Sequence, residues 1–290
     1  MNATAKFGTS QPVRRKEDVR FLTGHGRYLD DIAPDGVARL VVFRSPVAHA
    51  TVTGLDVGAA RAAPGVLGIF TAADLDGKMK NAMDFGIVDN RDGSKGAAPV
   101  RPILASGKVC FAGDGLAAVV AETEAQALDA LDLIEFDYED LSAHVDTAIG
   151  GETIHPEAPD NLAFDWAFGD EAEVDAAFDA AAHTTRLELI DNRIISNPME
   201  PRGTTAEWRD GRLHLAFSGQ GVWSLKKELA KKFGVKQDAI HTTTPDVGGG
   251  FGTKGFNYPE YFMTAFAARF ASPDIPSPLR IVAGLSRRAR

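Results

Sequence analysis

The sequence predicts an α+β fold, and three local signals carry that prediction. Thr123-Glu124-Ala125-Gln126 is a capping box, in which the Thr hydroxyl takes a backbone N–H while the Gln reaches back. Asp210-Gly211 joins two strand-like runs, 204–209 and 212–217, with a residue pair that tolerates positive φ at a hairpin turn. Leu225, Leu229 and Phe233 recur at helical spacing opposite Lys226, Lys227 and Lys231, the pattern of an amphipathic helix.

Taken in order, the opening stretch to about Gly26 has no clear period and reads as an arm. Residues 38–44 and 50–55 are β-type, and Ser45-Pro46-Val47-Ala48-His49 between them reads as a hairpin or tight reversal. Asp56 caps a short helix over 59–63 that ends at Pro64-Gly65, and 66–70 follows as a buried strand. Residues 76–102 are rich in Gly, Asp, Asn and Lys and form a long irregular segment. Strands at 109–111 and 116–121 flank Gly113-Asp114-Gly115, a turn signal. The helix after Thr123 carries Ala127, Leu128, Leu131 and Ile134 on one face, and Ile134, Phe136 and Tyr138 then alternate as a strand.

Loop composition over 140–168 marks a linker. Asp170 and Glu173 signal a second helix start, with Val174, Ala177, Phe178 and Ala181 at helical spacing, and Thr185, Leu187 and Leu189 then alternate like a strand. Ser224 reads as the cap of the amphipathic helix, Glu228 pairs with Lys232 one turn on, and Gly234 stops it. A strand over 239–247, a glycine run, a helix from Pro259 through Phe270 and a last strand near 279–283 complete the order. The expected division is an arm (1–23), an α/β unit (24–140), a linker (141–168) and a second α+β unit (169–290).

Composition narrows the function classes. At 290 residues, with 44% hydrophobic and 24% charged residues, the chain is long enough for one large or two ordinary domains of ~150 residues. The single cysteine, Cys110, forms no internal disulfide, which points to a reducing, cytoplasmic compartment. A net charge of −9 argues against nucleic acid and anionic membrane as partners, and no apolar run approaches a membrane span of ~18 residues. The seven histidines are scattered with no metal-ligand spacing, and Cys110 reads as a small buried hydrophobe in a strand.

The most informative stretch is Asp246-Val247-Gly248-Gly249-Gly250-Phe251-Gly252-Thr253-Lys254, between a strand and a helix. Its glycines let backbone approach a ligand, and successive N–H groups can form an anion-binding nest; the plain alternative is a tight turn that binds nothing. A phosphate loop needs glycine before the lysine, where Thr253 stands. Gly250, Gly252 and Gly255 do match the dinucleotide pattern, but Pro259 delays the helix and no parallel crossover is expected.

The run 247–254 with Tyr258-Pro259-Glu260 resembles the cofactor loop of molybdenum hydroxylase large subunits, the xanthine dehydrogenase, aldehyde oxidase and carbon monoxide dehydrogenase family. Gly24-His25-Gly26-Arg27-Tyr28 with Asp30-Asp31 resembles the family's N-terminal signature. Ser45-Pro46 with His49-Ala50, Pro64-Gly65-Val66 and the 117–123 strand and cap are similar to its small α/β hammerhead domain. Asn197-Pro198-Met199-Glu200-Pro201-Arg202-Gly203 and Ser218-Gly219-Gln220-Gly221 resemble parts of its first molybdopterin-binding domain. The likeness runs to about Arg269.

That resemblance implies a hammerhead domain followed by the first part of a molybdopterin-binding domain. The cofactor would be molybdopterin, with the cytosine dinucleotide form as one option, and molybdenum would be held by the pterin dithiolene with no protein ligand. Gln220, Gly249, Gly250, Phe251 and Gly252 match family positions beside the cofactor; Gln220 also reads as an ordinary turn residue. Glu200 is open between a place near the site and a structural ion pair, and Lys254 receives no role. The family's second cofactor domain and its general-base glutamate have no counterpart here. The residues 270–278 replace the expected Leu-Gly-Arg-Pro, and Gly113-Asp114-Gly115 replaces Gly-Glu-Pro. The expectation is therefore an N-terminal, truncated portion of an oxidoreductase, with no catalytic residue of its own and no activity alone. Its partners would be iron–sulfur and FAD subunits and a separate chain carrying the second domain. A non-catalytic split or docking module, and a dinucleotide-binding enzyme, are the alternatives.

Overall fold

The computed structural model describes residues 14–32, 36–192 and 194–271, and the backbone of 281–284. The first half contains α1 (Asp18–Leu22), β1 (Ala38–Arg44), β2 (Ala50–Asp56), α2 (Gly58–Arg61) and β3 (Val66–Thr71). β4 (Lys108–Val109), β5 (Gly115–Ala121), α3 (Glu124–Leu131) and β6 (Glu135–Asp140) complete it. The second half contains α4 (Glu171–Asp179), β7 (Gly203–Arg209), β8 (Arg212–Phe217) and α5 (Trp223–Phe233). β9 (Ile240–Thr243), α6 (Pro259–Phe270) and β10 (Ile281–Gly284) follow.

These strands form two sheets. Seven lie in the order β3-β5-β1-β10-β7-β8-β9, and three in the order β4-β2-β6. The larger sheet joins both halves of the chain through β10, which runs parallel to β1 on one side and antiparallel to β7 on the other. Alternate residues of β5 face opposite layers, as a period-2 strand requires. Ala118 and Val120 join the core that holds α5 and α6, whereas Ala117, Val119 and Ala121 meet Ala60 of α2 and Ala127 and Ala130 of α3. α6 is buried from Glu260 to Ala267. Its Phe266 packs edge-on against Phe70 of β3 at 5.4 Å, and its Tyr261 lies 5.4 Å from Phe217 of β8, so one helix supports both halves of the sheet.

Several local signals fold as read, whereas the short helix expected over 59–63 under an Asp56 cap runs over Gly58–Arg61 with Val57 at its N-cap. Thr123 Oγ1 accepts from Gln126 N at 3.3 Å while Gln126 Oε1 accepts from Thr123 N at 3.0 Å. Asp210 and Gly211 take φ of 52° and 74° between β7 and β8, and Gly234 ends α5 at φ 63°. Asp170 accepts from Glu173 N at the start of α4.

Other expectations are corrected. The 45–49 segment is a corner between sheets and not a hairpin: β1 pairs with β5, β2 pairs with β4 and β6, and Ser45 is held by Gly113 and Asp114. The predicted strand at 109–111 is only β4, which ends before Cys110, and Cys110 is half-buried. Residues 185–189 are not a strand, and Leu187 and Leu189 are exposed. The strand predicted over 239–247 ends at Thr243. Val222, not Ser224, occupies the N-cap of α5, and Ser224 Oγ instead accepts from Asn257 Nδ2 at 3.1 Å. The opening stretch contains α1, a helix the lack of period did not reveal.

Candidate functional site

Between β9 and α6 the chain runs as an irregular loop whose glycines are enforced by geometry. Gly249, Phe251 and Gly252 sit at φ of 96°, 48° and 84°. Glycine adopts such angles freely, while Phe251 stores about 1–3 kcal/mol of backbone strain. A Cβ added at Gly248 would fall 2.5 Å from Glu200 Cβ, and one at Gly250 would fall 2.5 Å from Gln220 Oε1. Bare backbone is therefore what lets 198–200 and Gln220 close on the loop.

The loop's donors are divided in use. Gly248 N donates to Glu200 Oε2 at 2.8 Å, and Thr253 N and Oγ1 both donate to Gly250 O, at 3.0 and 2.8 Å. The N–H groups of Gly249, Gly250, Phe251 and Gly252, four in succession, donate to no acceptor among the described residues. The 251–252 end of the run is open, with Phe251 73% exposed and a Cβ at Gly252 meeting nothing within 4 Å, while Gly249 and Gly250 are half-buried against Pro198 and Gln220. Such an arc of N–H groups suits an acceptor-rich ligand.

Lys254 is the loop's one cation, and its fully buried ammonium donates to Glu200 Oε2 at 2.9 Å. That pair neutralises the loop, which thus offers dipoles and not a free positive charge. Asp246, at the other end, pairs with the Arg20 guanidinium through both carboxylate oxygens, one of them at 2.8 Å, and also accepts from Arg27 N at 2.7 Å. The hydrogen bond from Arg20, then that from Arg27, hold its carboxyl below the usual carboxylate range. Behind the loop, Tyr258 Oη donates to Thr253 O at 2.6 Å, and Arg202 stacks 3.6 Å above the Tyr258 ring.

The sequence-predicted residues thus come together. Gln220 touches Gly250, its backbone N donates to Lys254 O at 3.0 Å, and Gly249, Phe251 and Gly252 complete the arc. Sequence reasoning missed Arg20 and Asp246 as partners, left Glu200 open and gave Lys254 no role. No local signal joins residues 226 and 54 positions apart. Elsewhere, His49 is buried with Nδ1 2.6 Å from Ser142 O. Burial pushes the Cys110 thiol up, so it is held as the unreactive thiol. Among the described residues no group of three or more His, Cys, Asp or Glu is placed to hold a metal ion, and no helix is long and apolar enough to cross a membrane.

The dinucleotide reading needs one revision. β10 runs parallel to β9, so a crossover does exist, but β7 and β8 lie between them. Phe256, Asn257 and Tyr258 also separate Gly255 from α6, so the third glycine does not pack a helix onto an adjacent strand.

Residues 23–142 match the family model described as "Aldehyde oxidase and xanthine dehydrogenase, a/b hammerhead domain", and residues 154–275 match "Molybdopterin cofactor-binding domain". The chain belongs to the molybdenum hydroxylase large-subunit family. Among relatives of this chain is the nicotine 6-hydroxylase large subunit of Paenarthrobacter nicotinovorans, 36% identical over 264 residues, which are 89% of this chain and 31% of that protein. The carbon monoxide dehydrogenase large chain of Afipia carboxidovorans is 31% identical over 276 residues, 88% of this chain and 32% of that one. The solved structure of quinoline 2-oxidoreductase from Pseudomonas putida 86 superposes with a TM-score of 0.77 at 30% identity, covering 95% of this chain and 34% of that one. The chain spans about a third of the length of the curated relatives it matches.

Proposed function

We propose that this chain supplies one wall of the molybdopterin site of a hydroxylating oxidoreductase. The observation that carries the reading is the run of four unused N–H groups from Gly249 to Gly252, set against Gln220 and open at its Phe251–Gly252 end. The group fits on chemistry: a pterin with its metal oxygens is rich in acceptors, and the loop, neutralised at Lys254, presents donors without net charge. When bound, the cofactor supplies the redox chemistry of hydroxylation. The four N–H groups would donate to it, and the Gln220 carboxamide would add a directed hydrogen bond without adding charge. Phe251, held outward at positive φ, would shield one side of the group from water.

We assign no general base and no metal ligand among the described residues. Turnover then needs further polypeptide carrying the second cofactor domain, with iron–sulfur and FAD subunits to remove electrons. The substrate would be a small aldehyde, heterocycle or carbon monoxide, and a cytoplasmic location agrees with the lone cysteine. The cofactor's cytosine dinucleotide form is part of the same proposal.

The test is titration of the purified chain with molybdopterin released from a known hydroxylase, followed by pterin fluorescence. Saturable binding that Gly250→Ala weakens at least about tenfold is expected, because its Cβ would displace Gln220. Binding of NAD instead of the pterin would reverse the reading.

A further inference from the structure

We infer that residues 20–29 clamp the glycine loop into its donor-presenting shape, with Glu200 and Asp246 as positioning residues. This rests on the reading of the loop as a cofactor cradle. The clamp has two rungs in steps of two residues. Arg27 N donates to Asp246 Oδ2 at 2.7 Å while Asp246 N donates to Arg27 O at 3.1 Å. Two residues on, Leu29 N donates to Glu200 Oε1 at 3.3 Å, and Gly248, two residues past Asp246, donates to Glu200 Oε2. The Glu200 carboxylate is thus inserted as the second rung between the two backbones.

The same oxygen then fixes the far end. Glu200 Oε2 accepts from Gly248 N at 2.8 Å and from Lys254 Nζ at 2.9 Å, so the run 249–252 hangs between two points tied to one atom. Arg20 anchors Asp246 from α1, and Leu29 is 3% exposed, which fixes the segment against the body. These bonds leave the four N–H groups of 249–252 as unspent donors of the loop. The N-terminal segment is accordingly the back wall of the site and not a loose arm.

Amide hydrogen exchange of the 290-residue chain, read on peptides covering 246–255, tests this directly. Relative to wild type, Arg20→Ala and Asp246→Asn should speed exchange of that peptide several-fold and Glu200→Gln about tenfold or more, since charge-assisted bonds close the opening equilibrium. Peptides from β5 and α6 should not change. Arg20→Lys should restore much of the protection. If Glu200→Gln fails to fold, the Arg20 and Asp246 variants decide the matter, because the Arg20 side chain is 40% exposed and carries no core packing. The Arg20 and Asp246 variants should weaken pterin binding with an unchanged Tm. Loop exchange that stays at the wild-type rate in all variants overturns the clamp, even if Gly250→Ala abolishes pterin binding and the cradle reading stands. Faster exchange in a chain that binds no pterin supports the clamp and removes the cradle reading.

Discussion

The glycine loop and the segment 164–199 make an instructive pair. The loop has few apolar side chains, yet it is tied to three other parts of the chain through Gln220, Glu200 and the residues 20–29. The segment is rich in Trp, Phe, Leu and Ile, yet Trp166, Phe168, Phe178, Leu187, Ile190 and Ile195 are each at least 60% exposed. α4 within it has no buried residue at all. Hydrophobic composition is therefore not what fixes a segment here. Directional partners fix the loop, while these apolar side chains of the segment stay exposed among the described residues.

Substitutions can break or sharpen this contrast. The largest effect is expected from Lys254→Met, which strands the Glu200 carboxylate and should cost about 3–5 kcal/mol in urea unfolding. The double variant Glu200→Gln with Lys254→Met should recover most of that loss, because neither charge is then buried alone. Gly248→Ala comes next, at about 1–3 kcal/mol, since its Cβ meets Glu200 at 2.5 Å and the backbone must move. An unfolding midpoint unchanged from wild type would show that the loop is looser than its bonds suggest.

A pH effect follows from a second charged cluster. Hydrogen bonds from Lys231 and then Lys232 hold the Asp84 carboxyl well below the carboxylate range. A depressed folded pKa stabilises the fold above the unfolded value of about 4 and loses that contribution as pH falls through the folded value. Asp84→Asn should therefore be less stable than wild type at neutral pH and show a shallower decline in Tm below about pH 4. The smallest effect belongs to the contrasting segment: Leu189→Ser and Ile190→Ser, at 78% and 89% exposure, should each shift stability by no more than about 0.5 kcal/mol. A larger loss would mean that this face is covered in solution.

What the sequence made legible was local. The Thr123–Gln126 box, the Asp210-Gly211 turn and the stop at Gly234 each depend on residues within a few positions, where side-chain chemistry decides backbone angles. The glycine loop and Gln220 were found by motif, and their contact at Gly250 agrees with the grouping. The larger misses were nonlocal. β1 and β2 look like a hairpin in sequence because nothing in 45–49 says that the corner turns into another sheet. Thr185, Leu187 and Leu189 alternate correctly for a strand, but alternation does not supply a neighbour to bond. Glu200 reads as any glutamate until folding brings Leu29, Gly248 and Lys254 around it.

The position of β10 also has a consequence for how the molecule is made. Residues 281–284 leave the ribosome after every other described strand, yet they lie between β1 and β7 in the middle of the large sheet. Without that strand, β3-β5-β1 and β7-β8-β9 would be two separate three-strand sheets, each with an unpaired inner edge. The hydrogen-bonded joining of the halves therefore depends on a pairing between residues far apart in sequence, the kind of contact whose loop-closure cost slows folding.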